Sequence, residues 1–309
     1  MSYEIVNVTP DSTAWLEERR RSVGASEVPA VMGMSSYGVT PLDVYKSKNG
    51  VDREFDPVLG FIGHASEPIM HEWVERFSGL NVTLHSGFMA RSVEHPFLHA
   101  SFDRVGDGFM VQMKTAHHYT GHKWDEGIPT DIRVQVQAEL AVSGDARALV
   151  VVWIGGREFR HFWEPRDERF INDHLIPTVE KFWHENVSAG VAPEPSTIAE
   201  LNEIPVEPGK AVEADLTVLE AIERRQVLLA DVKSQKEEAD ALQVAIGQWM
   251  GDADTITLGG KNVLTYRYQK GRASLDTTAL RQAHPDIVNE FTNQGSPFRV
   301  MRTNLKETK

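Results

Sequence analysis

The stretch FLHASFDRVGDGFMVQMKT, residues 97–115, decides the fold. Two short runs with strand character, 97–103 and 109–115, flank Gly106-Asp107-Gly108, and those three residues suit a tight hairpin turn. Residues two apart on a strand point the same way, so Gln112 and Lys114 share one face and Met113 takes the other. Asp103, near the end of the first strand, can meet that pair across the hairpin. A carboxylate, an amide oxygen and an ammonium on one face are parts for hydrolysing a phosphodiester: a divalent ion neutralises the phosphate and acidifies water, and the ammonium stabilises charge. On spacing alone, a surface Asp on a turn and a solvated Lys on an edge strand fit the same residues.

Working outward, residues 86–91 form a further strand, and the three strands read as a meander. Before them, residues 66–78 set Ile69, Trp73 and Phe77 at i, i+4 and i+8, beside Met70 and Val74, with Gly79 as a stop; the pattern predicts an amphipathic helix with Glu67 in its first turn. Upstream, Ser26 reads as an N-cap with Pro29 in the first turn, and Thr40-Pro41 opens a helix that Gly50 ends. Downstream, Ile132, Val136 and Leu140 stripe a helix over 131–142, followed by strands at 148–154 and 158–163 and a closing helix over 167–186. Residues 1–190 therefore read as a mixed α/β core, a sheet flanked by helices. A Pro-rich linker (191–212), a long helix (213–250) and a small basic α/β unit (251–309) follow. In that unit a hairpin turns at Gly259-Gly260, a helix starts at Asp276, and a last strand runs near Phe298 to Met301.

The 309 residues, 41% hydrophobic and 25% charged, suit a folded soluble chain rather than a disordered one. With no cysteine, disulfide frameworks, thiolate zinc and cysteine nucleophiles are excluded. The longest apolar run, Ala148 to Ile154, is too short to span a bilayer, and the first residues lack a signal-peptide pattern, so a cytoplasmic chain with no membrane association is expected. The net charge of -13 argues against a wholesale polyanion binder without excluding DNA binding. The charge is uneven: residues 191–258 carry 5 Lys and Arg against 14 Asp and Glu, whereas residues 259–309 carry 9 against 4. Nucleic-acid contact by the core would need a focused patch or bound metal.

Read in order, Trp15-x3-Arg19, Gly24-Ala25-Ser26-Glu27, Gly63-x3-Glu67-Pro68, Ser101-x-Asp103, Gln112-x-Lys114 and Gln135-Val136-Gln137 form one series. The series resembles the bacteriophage lambda exonuclease and YqaJ-type viral recombinase family of the PD-(D/E)XK nuclease superfamily, over roughly residues 13–185. The resemblance implies a restriction-endonuclease-like core, Mg²⁺-dependent 5′-to-3′ digestion of one strand of linear double-stranded DNA, a homotrimeric ring, and a single-strand annealing protein that takes the 3′ tail. Mn²⁺ is an alternative ion. By position, Asp103, Glu67 and Gln112 would arrange the metal with the backbone carbonyl of Met113, Lys114 would be the catalytic lysine, and Gln137 the active-site glutamine with Gln135 flanking it. Arg19 and Ser26 would hold the terminal 5′ phosphate, Ser26 at a helix N-terminus, and Ser101 would add a hydroxyl. Arg20 or Arg21 are substitutes for Arg19, and Ser26 also reads as a plain cap.

One position departs from the family, which usually has Glu where this chain has Gln112. An amide oxygen ligates Mg²⁺ without adding negative charge, so metal affinity should fall. Three readings stand open: a tolerated variant, an introduced change, and a DNA-end-binding protein without catalysis. An endonuclease on the same core is a further alternative. His117, His118 and His122 read as a solvent-facing loop; Trp124 reads as packed or as a base-stacking indole, and Trp15, Trp73 and Trp183 as core. Lys261, Arg267, Lys270 and Arg272, with Arg299 and Arg302, make either a DNA backbone track or a face paired with the acidic helix.

Overall fold

The computed structural model describes residues 2–9, 12–53, 56–295 and 298–303. It divides into two units, Met1–Leu201 and Asn202–Lys309. The first opens with β1 (Tyr3–Val6), α1 (Thr13–Arg20), β2 (Val23–Gly24), α2 (Val28–Val31), α3 (Pro41–Lys48) and α4 (Pro57–Phe77). Next come β3 (His85–Ser86), β4 (Met89–Ser92), β5 (Leu98–Ser101), β6 (Arg104–Gly106) and β7 (Phe109–Ala116). It continues with α5 (Thr130–Ser143), β8 (Arg147–Ile154), β9 (Glu158–Pro165), α6 (Glu168–Phe170) and α7 (Ile176–Lys181), and it ends within α8 (Ile198–Glu203).

The expected meander is instead one ribbon shared between two sheets. Strand order is β1-β4-β5-β2 in the first sheet and β3-β6-β7-β8-β9 in the second. The ribbon pairs β4 with β5 in one sheet and β3 with β6 in the other, all antiparallel, and crosses between sheets at Gly87 and Phe88 opposite Phe102 and Asp103. The Phe102 amide donates to the Phe88 carbonyl at 3.0 Å at the crossing. A Cβ at Gly87 would lie 1.7 Å from the Phe102 carbonyl oxygen and 2.6 Å from that of Asp103, so only glycine permits this approach. The turn at Asp107-Gly108 is as expected, with Gly108 at φ +77° and Gly106 paired to Phe109.

Strand β7 pairs in parallel with β8, and α5 is the crossover. Twelve of its fourteen residues are buried, because α5 packs on strands of both sheets; a single apolar stripe describes it poorly. Alternation along β7 and β8 does the rest. Met110, Ala148, Val150 and Val152 join the core that holds α5, while Phe109, Val111, Met113, Leu149 and Val151 pack in a second core with Met70 and Val74 of α4.

Three helix expectations need correction. Helix α4 starts at Pro57, capped by Asp56, so Glu67 is mid-helix, and its buried face is Ser66, Met70 and Val74, with Ile69 and Phe77 exposed. No helix begins at Ser26: the side chain of Glu27 reaches back to the Gly24 amide (2.7 Å) and sets a 3₁₀ turn over Ala25–Glu27, leading into the four-residue α2. The closing helix over 167–186 runs as α6 and α7 interleaved with π-helical turns at Ile171–Leu175 and Phe182–Ser188. Thr40 caps α3 in a capping box with Asp43, as read.

The stretch read as a Pro-rich linker holds α8, whose Glu200 is buried and accepts from the hydroxyl of Thr40 at 2.5 Å. The second unit holds α9 (Leu216–Met250), the hairpin β10 (Thr255–Leu258) and β11 (Lys261–Thr265), α10 (Thr277–Ala283) capped by Asp276, and α11 (Pro285–Glu290). Residues 298–301 form no strand. Among the described residues no helix is long and apolar enough to cross a membrane. Gly87→Ala should lower the urea midpoint by an amount equivalent to about 1–3 kcal/mol or more. Gly63→Ala in α4, where nothing lies within 4 Å of the new Cβ, should be neutral or slightly stabilising; equal effects at the two glycines would refute the close approach.

Candidate active site

Because Arg104 pairs with Val111, the β6–β7 register sets Asp103 opposite Gln112. Asp103 Oδ2 accepts from the Met113 amide and from Gln112 Nε2, both at 2.6 Å. Burial pushes the Asp103 carboxyl up to about 6, while the Lys114 ammonium and the Met113 N–H oppose the rise. Glu67 reaches the same place from α4: its Oε2 accepts from Arg104 Nη1 at 2.9 Å, and Arg104 also donates to the Asp103 carbonyl. Arg104, absent from the sequence reading, thus links the two acids.

Lys114 and Gln112 project from β7 toward α5, as the strand period requires. Lys114 Nζ donates to Gln135 Oε1 at 3.0 Å. Gln135 Nε2 donates to Gln112 Oε1 and to Glu139 Oε1, each at 2.8 Å. Glu139 was also missed; its position one helical turn after Gln135 was the signal that could have found it. Its carboxyl is pushed up to about 8 by burial, against the pull of Lys114.

Gln137, expected as the active-site glutamine, does not join this cluster. Gln137 sits on another side of α5, where Nε2 donates to Glu164 Oε1 (3.0 Å) and the Pro165 carbonyl (2.8 Å), and its oxygen accepts from the Asp167 amide (2.9 Å). Two residues on a helix differ by about 200° in direction, so Gln135 and Gln137 cannot serve one site. Gln112 also departs from its expected role as an oxygen ligand: its oxygen is taken by Gln135 and its N–H faces Asp103. Ser101 is exposed at the end of β5 and lies outside the lining of the cavity described next.

A cavity of about 1270 Å³ joins Asp103, Gln112, Met113, Lys114 and Glu67 to Arg19 and Ser26. The Arg19 guanidinium stacks 4.6 Å over the Trp15 ring and lies 4.0 Å from Glu27, which explains the Trp15-x3-Arg19 spacing on α1. Behind it, the buried Lys48 donates to the Arg19 carbonyl at 2.7 Å and pairs with Glu27 at 2.5 Å. Burial pulls the Lys48 ammonium below its ordinary range, and Glu27 holds it up in part. No sequence pattern marked Lys48. Ser26 is exposed and lines the cavity from the 3₁₀ turn, so a long helix N-terminus does not assist it. Arg20 also lines the cavity but is paired with Asp52 at 2.7 Å, and Arg21 pairs with Glu18 at 3.1 Å outside it.

The remaining residues lie elsewhere. Lys261, Lys270 and Arg272 are exposed in the second unit, and Arg267 pairs with Asp254 at 2.9 Å. His117, His118 and His122 are exposed around a 3₁₀ segment, and no His, Asp and Glu cluster of metal-site size occurs among the described residues. Trp124 is buried against Phe162, so the packed role holds, while Trp15, Trp73 and Trp183 are half-buried.

Residues 14–146, from α1 to the end of the α5 region, match the family profile of the YqaJ-like viral recombinase domain. The matched segment contains every residue of the cavity. Over 306 residues the chain is 28% identical to the uncharacterized protein YqaJ of Bacillus subtilis strain 168, spanning 95% of this chain and 93% of that one. Among solved structures, the dAMP complex of LHK-Exo superposes with a TM-score of 0.50 at 18% identity, over 58% of this chain and 94% of the other. A second LHK-Exo structure, described as an alkaline exonuclease from Laribacter hongkongensis, gives 0.48 with the same coverage. That likeness is one of fold.

The raised Asp103 carboxyl sets a pH-dependent stability. The unfolded chain ionises it near pH 4 and the folded chain near 6, so its contribution is fully present below pH 4 and is lost as pH rises through 6. In EDTA, Asp103→Asn should gain on the wild type by on the order of 2 kcal/mol at pH 8 relative to pH 4. Urea midpoints at the two pH values check this, and an equal shift at both would refute it.

Proposed function

We propose that this chain is a Mg²⁺-dependent, Mn²⁺-tolerant exonuclease that digests one strand of linear duplex DNA from its 5′ end. It leaves a 3′ single-stranded tail for an annealing partner in phage-type recombination, and works as a homo-oligomer, a trimer by family resemblance, in the bacterial cytoplasm. The observation that carries this reading is the single cavity with Arg19 and Ser26 at one end and Asp103, Glu67 and Lys114 at the other. A terminal phosphate at the first end would place a nearby phosphodiester at the second.

The donor set suits a hard cation: the carboxylates of Asp103 and Glu67 and the carbonyl of Met113 all belong to cavity-lining residues and all offer oxygen. Gln112 would join it only by turning its amide over. The chemistry supplied by bound Mg²⁺ is neutralisation of phosphate charge and a lowered pKa for water. Lys114, oriented by Gln135, holds the attacking water and stabilises charge on the phosphate oxygens. Arg19, its guanidinium plane fixed by Trp15 and its backbone by Lys48, grips the 5′ phosphate with two parallel N–H groups, and Ser26 adds its hydroxyl. Arg104 holds Glu67 beside Asp103.

A second reading is favoured by one observation: Gln112 donates to Asp103 instead of offering it an oxygen. On that reading the protein grips DNA ends without hydrolysis. With a 5′-phosphorylated linear duplex in Mg²⁺, the wild type should release mononucleotides, Lys114→Ala should be slower by about 10²–10³-fold, and closed circular DNA should persist. Arg19→Ala should abolish the preference for 5′-phosphate over 5′-hydroxyl ends. Tight end binding without release, unchanged in Gln112→Glu, selects the second reading, and cleavage of circles selects an endonuclease.

A further inference from the structure

The hydrogen bonds around Gln135 have a fixed direction. Lys114 has N–H groups and no acceptor; Gln135 turns Oε1 to it and sends both Nε2 hydrogens the other way. One goes to Gln112 Oε1 and one to Glu139 Oε1, which uses both N–H groups of the Gln135 amide. Gln112 is then left with its N–H groups toward Asp103. At the far end Glu139 is 1% exposed, and its second oxygen, Oε2, is buried with no hydrogen-bond partner. A buried carboxyl with an unsatisfied oxygen is costly, and an apolar side chain of similar size would fill the place without that cost. Its retention asks for a reason other than packing.

We propose that Glu139 is a positioning residue: by accepting one N–H of Gln135 it fixes the orientation of the Gln135 amide, and through it the Gln112 amide and the Lys114 ammonium. Without that acceptor, one buried N–H of Gln135 has no partner. The alternative amide orientation sets N–H against the Lys114 ammonium and oxygen against the Gln112 oxygen, and Gln112 can answer only by turning its own oxygen onto Asp103. A change at Glu139 therefore reaches Asp103 across two amides. The effect on catalysis rests on the nuclease reading; the effect on the amides does not.

The test compares Glu139→Gln, which keeps the acceptor, with Glu139→Leu, which removes it; Glu139→Met serves if the leucine variant is insoluble. In protein labelled with ¹⁵Nε-glutamine, the side-chain NH₂ signals of Gln112 and Gln135 are assigned by their loss in Gln112→Met and Gln135→Met. Glu139→Leu should shift the Gln112 signal, although the two residues share no hydrogen bond, and Glu139→Gln should leave it in place. With a 5′-phosphorylated linear duplex in Mg²⁺, Glu139→Leu should lose at least about tenfold in kcat with duplex affinity in EDTA unchanged, and Glu139→Gln should stay within about threefold of the wild type, differences that exceed 1.4 and fall below 0.7 kcal/mol respectively. A Gln112 signal that does not respond to Glu139→Leu overturns the proposal, as does a glutamine variant as slow as the leucine one. If the Gln112 signal moves as stated but the wild type releases no nucleotide, the positioning role stands and the nuclease reading falls.

Discussion

Everything at the site depends on one close approach of two backbones, Gly87 against Phe102 and Asp103. A two-stranded ribbon that stayed in one sheet would carry Asp103 inside a regular ladder, its carboxylate committed to one face. Here the ribbon leaves one sheet and enters the other at that residue, so Asp103 sits at the rim and can take the Met113 amide and the Gln112 side chain at once. The missing Cβ of Gly87 is what lets the strands approach closely enough to turn together.

The second constraint is the placement of α5 between the sheets. A helix with one apolar face needs only a stripe, but a helix touching two sheets must be buried nearly all round, so its polar residues have to find partners inside the protein. Gln135, Gln137 and Glu139 are such residues. Gln137 settles the chain beyond β9 by bonding Glu164, Pro165 and Asp167, a structural task, while Gln135 and Glu139 face β7. Two residues, about half a helix turn, thus separate a side chain that holds the fold from those that face β7.

Sequence reading went furthest where a local rule acts alone. The Asp107-Gly108 turn, the alternation of Gln112, Met113 and Lys114, the Thr40 cap and the β8 strand are each set by neighbours within a few residues, and each was legible. The break at Gly87 was not, because a glycine inside a strand pattern shows no sign of what approaches it from fifteen residues away. Choosing between Gln135 and Gln137 needed the phase of α5 relative to β7, which an all-round buried helix does not reveal. Lys48 and Arg104 were invisible for a related reason: each is an ordinary cation on its own element and gains meaning only from Glu27 or Glu67 on another. The start of α4 was misplaced because its first turns carry Val58, Leu59, Phe61 and Ile62 exposed, so burial periodicity began only at Ser66.

The charge economy follows from these pairings. A chain of net charge -13 does not attract a polyanion by its overall field, so recognition must be local. At the Arg19 end of the cavity, Arg19 and Lys48 share one acid, Glu27, which leaves an excess of positive charge where a terminal phosphate would sit. At the Asp103 end, two acids face Arg104 and Lys114, a near balance that one divalent cation would tip positive. Gln112 matters for that balance: a third carboxylate there would repel Asp103, whereas the amide donates to it. The amide therefore spares the site the repulsion that a third carboxylate would bring in the absence of a cation, and it does so by engaging the carboxylate on which a cation would depend.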